Sequence, residues 1–286
     1  MDVALATCKT LPEPDFDAEP LVEALAAAGL EAGFLAWDDP DVDWSRARLT
    51  LLRSTWNYPQ FPREFMEWTA KAARLSDLWN PLEVVQWNVH KRYLLKLEEA
   101  GIPVAPTELV EQGSNRPLHA ILDQRGWNQV VVKPAISAAS YRTLKIGPGQ
   151  TDLGEQHLRE LAADGDALVQ LYLPSVEGHG ERALVWIDGD VTHAVRKTPR
   201  FSGEDESVSD AMEISDAELA LAGRAVGAID AEPLYARIDM APGPEGEPVV
   251  MEVELIEPSL FFPQCPAALG RLVAGIRNRL DRAGTR

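Results

Sequence analysis

The stretch LYARIDMAPGPEGEPVVMEVELIEPS, Leu234–Ser259, reads as two strands around a tight turn, and its charges govern how the rest of the chain is understood. Pro242, Gly243, Pro244, Glu245 and Gly246 form the turn, because proline presets φ and glycine accepts positive φ without steric penalty. Side chains alternate across a strand, so Arg237 and Asp239 share a face of the first strand, and Glu252 and Glu254 share a face of the second. Opposed residues of an antiparallel pair project to the same side. All four charges therefore meet if Arg237 opposes an even-numbered partner, and they separate if the partner is odd-numbered. Spacing along the chain leaves both registers open. Three carboxylates around one point, all oxygen donors, suit one or two Mg²⁺ ions. The plain alternative is an amphipathic hairpin with its charged face in water.

Upstream, the first eighty residues alternate between strand and helix patterns. VALAT (Val3–Thr7) is a short apolar strand, and PLVEALAAAG (Pro20–Gly29) has helical spacing with proline at its start and glycine at its end. EAGFLAW and ARLTLLR read as the next strands and REFMEWTAKAARL as another helix. That alternation implies an α/β unit, a parallel sheet with helices packed on it and ligands at the carboxyl ends of its strands. The third strand runs into RSTWNYP (Arg53–Pro59), which reads either as a loop anchored by a buried tryptophan or as a small-molecule recognition loop.

NVHKRYLLKLEEAGIP (Asn88–Pro103) reads as one helix capped by Asn88 and stopped by Gly101. Lys91 and Arg92 then fall in its first turn, where the helix dipole disfavours each cation by a few tenths to about 1 kcal/mol. A cationic first turn adds to the anion-binding amides of a helix start and points to phosphate. Lys133 lies inside the apolar run VVVKPA, where a lysine either snorkels to water or meets an anion, and the small-residue loop ISAAS follows. Three strands come next, the last two joined by a DGD hairpin turn. The polar, acidic stretch Thr198–Glu213 reads as a mobile loop, and DAELALAGRAVGAI as a helix.

The whole chain of 286 residues, 45% of them hydrophobic, can bury a sizeable core. Its formal net charge of −18 argues against nucleic acid and anionic membranes as main partners. Two cysteines, Cys8 and Cys265, exclude a disulfide framework, and the five histidines show no metal spacing. The N-terminus MDVALATCKT lacks a basic stretch followed by an apolar run, so the expected location is the cytoplasm.

Taken in order, these pieces resemble the ATP-grasp superfamily of ligases. Lys91 and Lys133 look like its two phosphate-binding lysines, and VQLYLPSVEGHGE looks like its nucleotide hinge. The pair ARID and MEVE is similar to its magnesium hairpin, with Asp239 and Glu252 thirteen positions apart. The resemblance implies an N-terminal Rossmann-like α/β domain over 1–86 and an ATP-grasp fold of two α+β subdomains over 87–286, with a small lid at about 105–172. RSTWNYP, YLPSVEGHGE, HAVRK and ELIEPS most resemble the branch that includes the cyclo-ligase forming D-cycloserine from O-ureido-D-serine. Two departures stand out: Glu254 occupies a metal position that is often asparagine, and ISAAS lacks the glycines of many relatives.

What the resemblance implies is an ATP- and Mg²⁺-dependent carboxylate–amine ligase working through an acyl phosphate. Lys91, Lys133, Ser137 and Arg196 would meet phosphates; Gln170, Tyr172 and Leu173 would meet adenine, and Glu177 the ribose. Asp239, Glu252 and Glu254 would hold Mg²⁺, and Arg237 would steady the oxyanion. Arg53, Ser54, Asn57, Lys197 and Ser259 would orient a small, amino-acid-like carboxylate. The oligomeric state stays open, a homodimer among the options. Two other readings are a two-substrate amino-acid or peptide ligase and a non-catalytic ATP-binding sensor.

Overall fold

The computed structural model of the chain describes residues 1–198 and 207–283, so residues 199–206 of the expected mobile loop lie outside the described residues. Strands β1 (Val3–Thr7), β2 (Ala32–Ala36), β3 (Leu49–Leu52) and β4 (Asp77–Trp79) form a sheet in the order β2-β1-β3-β4 with every neighbouring pair parallel. Helices α1 (Ala18–Ala27) and α2 (Pro62–Leu75) make the crossovers that parallel pairing requires. Alternation along β1 divides the core: Val3 and Leu5 pack with Leu21 and Leu25 of α1, while Ala4 and Ala6 face Phe65 and Trp68 of α2.

The helix expected from Asn88 starts later, as α4 (Tyr93–Glu99), and Asn88 is instead the last residue of a preceding short helix, α3 (Leu82–Asn88). Asn88 caps neither by a side-chain bond. Its buried amide donates to the Val253 carbonyl (2.7 Å) and accepts from the Leu255 amide (2.9 Å), satisfying backbone groups of a sheet edge. Lys91 and Arg92 consequently lie in the break between helices and not in a first helical turn, so the dipole argument for phosphate falls away.

A second sheet is built from β5 (Thr107–Val110), β6 (Val130–Pro134), β7 (Leu144–Ile146) and β8 (Ala167–Leu171), antiparallel throughout in the order β5-β8-β6-β7. Helices α5 (Leu118–Arg125) and α6 (Thr151–Asp164) contribute Leu118, Ile121, Leu158 and Leu161 to its core. After the single turn α7 (Ser175–Gly178), the chain enters β9 (Glu181–Ile187) and β10 (Asp190–Lys197), then α8 (Asp216–Gly227), whose start carries a reciprocal Ser215–Glu218 capping box. The hairpin β11 (Tyr235–Pro242) and β12 (Pro248–Glu254) completes a third sheet, β10-β9-β11-β12, before α9 (Pro266–Ala283). Even-numbered Ala236 and Ile238 pack with α4 and α8, whereas Tyr235 turns towards α9 and the parallel sheet. The Tyr235 face also carries Arg237 and Asp239.

Candidate active site

The hairpin register pairs Arg237 with Glu254 and Asp239 with Glu252, so the four charges share one face. Counting back from the turn would not predict this. Pro242 opposes Pro248 and Met240 opposes Val250, and regular pairing from there would set Arg237 against Val253. A bulge at Met251 changes the parity between Asp239 and Met240. Next to the bulge, Val250 donates to the Pro103 carbonyl (2.9 Å) and accepts from the Ala105 amide (2.8 Å), bonding outward to the distant segment that leads into β5.

The four charges line one cavity among the three sheets, together with Lys91, Lys133, Lys197, Gln170, Glu181 and Ser259. Glu252 pairs with Lys91 Nζ at 2.6 Å and Lys133 Nζ at 3.6 Å. Asp239 accepts from Lys197 at 2.6 Å and from Arg237 at 2.9 Å, and Arg237 also reaches Glu254. These distances decide protonation. Burial opposes charge on Lys91, yet its close contact with Glu252 wins and raises its pKa; at Lys133 the longer contact loses to burial and the pKa falls. Burial would likewise raise Asp239, but Arg237 and Lys197 bring it down to about 2. Burial dominates at Glu254, aided by Asp239 and Glu252, and pushes it up to about 7.

The donors are hard oxygens on one wall, which fits Mg²⁺ in chemistry. They do not meet at one point as expected from the sequence. Among the described residues no group of three histidine, cysteine or carboxylate side chains is arranged to hold a metal ion. Instead each of the three carboxylates is held by a lysine or arginine, contacts that phosphate oxygens and a divalent ion would have to exchange with.

Beyond the charged residues the cavity turns apolar, with Val131, Leu171, Tyr172, Leu173, Val176 and, from the hairpin, Met251 along its wall. Gln170 is fixed there by donating to Thr107 Oγ1 at 3.0 Å. Ser137 is buried and its carbonyl accepts from Lys91 Nζ at 2.5 Å. The glycine-free loop beyond it turns by placing Ala139 (φ 46°) and Ser140 (φ 57°) in the left-handed region, which costs L-residues about 1–2 kcal/mol each.

Five residues expected at the site lie elsewhere. Arg53 is buried against Asp17 (3.4 Å) and donates to the Pro258 carbonyl, while Ser54 bonds Thr7 Oγ1 at 2.9 Å. Asn57 accepts from Trp37 Nε1 and donates to Asp38. These polar groups of RSTWNYP tie the loop down, and Trp56 is the member that lines the cavity. Glu177 sits on α7, exposed, and bonds Lys145 Nζ (2.6 Å) and the Tyr172 hydroxyl (2.7 Å). Arg196 is exposed since its neighbour Lys197 faces in, and adjacent strand residues point opposite ways.

Sequence reading passed over Glu181, Trp56, Met251 and Glu257. Alternation from Lys197 and its cross-strand partner Glu181 could have found the first; the Met251 bulge leaves no mark in spacing.

A family model for the N-terminal domain of D-cycloserine synthetase DcsG matches residues 3–80. The cycloserine biosynthesis protein DcsG of Streptomyces lavendulae is 31% identical over 264 residues, 86% of this chain and 88% of that protein. A crystal structure of D-cycloserine synthetase DcsG superposes with a TM-score of 0.91 at 30% identity, covering 98% of this chain and 100% of that one. The ATP-grasp ligase PsnB, solved with a phosphomimetic variant of its minimal precursor, Mg and ADP, shares the fold at a TM-score of 0.65 and 18% identity, covering 96% and 98% of the two chains.

Proposed function

The chain belongs to the D-cycloserine synthetase family of ATP-grasp, carbon–nitrogen bond-forming ligases, and on that premise we propose that its cavity activates a small amino-acid-like carboxylate and closes it on a nitrogen of the same molecule, as in the formation of D-cycloserine from O-ureido-D-serine. The observation that carries the reading is the convergence of Lys91, Lys133 and Lys197 on the charged face of the hairpin, beside an apolar recess suited to a base.

Lys91 and Lys133 bind the phosphates of ATP, leaving Glu252 as they do so, and the recess around Tyr172, Leu173 and Met251 takes the adenine. Asp239, Glu252 and Glu254 would hold Mg²⁺, which would neutralise charge on the transferring phosphoryl group. The substrate carboxylate attacks the γ-phosphate, ADP departs, and an acyl phosphate remains. The nitrogen then adds to the acyl carbon. Arg237, on the same wall, stabilises the oxyanion of the tetrahedral adduct until inorganic phosphate leaves and the nitrogen gives up its proton. The ring so formed from O-ureido-D-serine carries the carbamoyl group on that nitrogen, and water must remove it as ammonia and carbon dioxide to leave D-cycloserine.

Incubating the protein with ATP, Mg²⁺ and O-ureido-D-serine, then following phosphate release and product mass, tests this. A cyclic product and phosphate without added amine are expected. Release that requires a second amine would make the enzyme a two-substrate ligase. ATP binding with no release across a carboxylate panel would overturn the proposal.

A further inference from the structure

Glu257 is the third glutamate of MEVELIEPS, and the mechanism above leaves it without work. It is buried to 7% exposure, yet it lines the cavity. Each other carboxylate there with a described ion pair has a cation within 4.0 Å: Glu181 and Asp239 pair with Lys197, Glu252 with Lys91 and Lys133, and Glu254 with Arg237. Glu257 makes no ion pair among the described residues; the phenol of Tyr58 offers it a hydrogen bond, and Lys91 acts on it only through its more distant charge. Burial, with Glu254 close by, pushes its carboxyl up to about 8, so it stays neutral until a cation enters the cavity beside it.

Arg237 contacts Glu254 and donates from Nη1 to the Ser259 carbonyl at 3.4 Å, and Arg237, Glu254, Glu257 and Ser259 all line the same cavity. Trp56 Nε1 donates to the Glu257 main-chain carbonyl at 2.9 Å, and both residues line the cavity. In an α-amino acid the ammonium is borne on the carbon next to the carboxyl group. With the substrate carboxyl towards Arg237, the cavity carboxyl of Glu257, which holds no ion pair among the described residues, is the group left to meet that ammonium, and the indole of Trp56, which lines the same cavity, adds attraction for a cation.

We propose that Glu257, backed by Trp56, is the subsite for the α-ammonium of the substrate, which makes the enzyme selective for amino acids with a free amine. The inference rests on the ligase reading for the nature of the substrate. Calorimetric titration of the ADP- and Mg²⁺-loaded protein with O-ureido-D-serine and with its des-amino analogue, 3-(ureidooxy)propanoate, tests it. Wild type should bind the amine-bearing acid at least tenfold more tightly. Glu257→Gln should bind it about thirtyfold or more weaker than wild type does and lose the preference, with ADP affinity unchanged. Glu257→Asp, which keeps the charge, should retain part of the preference and guards against a folding defect in the first variant. A preference that survives in Glu257→Gln would overturn the assignment, as would a wild type that binds the two acids alike or binds neither. Phosphate release is read separately. A wild type that selects the amine but releases no phosphate would sink the ligase reading and leave the subsite standing.

Discussion

Glu252 is the residue on which two buried lysines depend, and that double duty separates two effects of removing it. Glu252→Gln should abolish phosphate release, since the wall loses a charged oxygen donor. It should also cost on the order of 1–3 kcal/mol of stability, because Lys91 and Lys133 stay buried without their partner. Activity assays beside a denaturant midpoint check both; wild-type turnover would remove Glu252 from the machinery. Lys133→Ala should weaken ATP binding at least tenfold, read by equilibrium titration. His193 supplies a pH test outside the cavity. Its Nδ1 meets Thr192 Oγ1 at 2.9 Å while buried Nε2 has no close hydrogen-bond partner among the described residues, and desolvation lowers its pKa from 6.5 against the pull of the nearby Leu260 backbone and Asp17. A folded-state pKa below the unfolded one means that the unfolded chain binds the proton first. This contribution is full above about pH 6.5 and is lost as pH falls through the folded pKa. His193→Gln should therefore flatten the loss of stability between about pH 7 and 5, measured by urea midpoints; an unchanged slope would refute it.

Elements bring these residues together through close fits that the side chains alone do not announce. Gly154, in α6, lies so near α5 and β7 that an added Cβ would meet Leu118 Cδ2 at 2.5 Å and Ile146 Cγ1 at 3.1 Å. Alanine gains about 1 kcal/mol over glycine in helix propensity, but overpacking a filled core costs about 1–3 kcal/mol. The clash should win, so Gly154→Ala lowers the unfolding midpoint; a stabilised variant would show that the sheet and helices of this unit have slack. Helix boundaries were the least legible feature. Asn88 has every attribute of an N-cap, yet its amide bonds the edge of β12; it ends α3, and the helix it was expected to start begins only at Tyr93. Strand polarity read better at MEVE, where alternation depends only on the pleat, than at HAVRK, where adjacent Arg196 and Lys197 cannot both face the cavity. The register, left open by spacing, is set where the bulge at Met251, next to outward-bonded Val250, reverses the parity.

At the scale of the molecule, a coat with net charge −18 surrounds a cavity whose lysines and arginine lie below the surface. An anionic nucleotide approaches against the outer field, whose reach is about 10 Å at 0.1 M salt and about 30 Å at 0.01 M. Raising ionic strength should thus speed MgATP association, measured by stopped flow, while the partly desolvated contacts inside are screened less. A rate that falls with salt would mean that the cavity cations already steer the ligand.

The parallel first unit, the hairpin and its four charges, and the two lysines were all present in residue types and periods, because those follow from local geometry of strands and helices. Whether the charges would share a face, and which member of RSTWNYP would look into the cavity, depended on partners far away in the chain. Val250 bonds Pro103 and Ala105, and Arg53 bonds Asp17 and Pro258. Hydrogen bonds across such separations are chosen by packing of whole units, and only the folded molecule contains that choice.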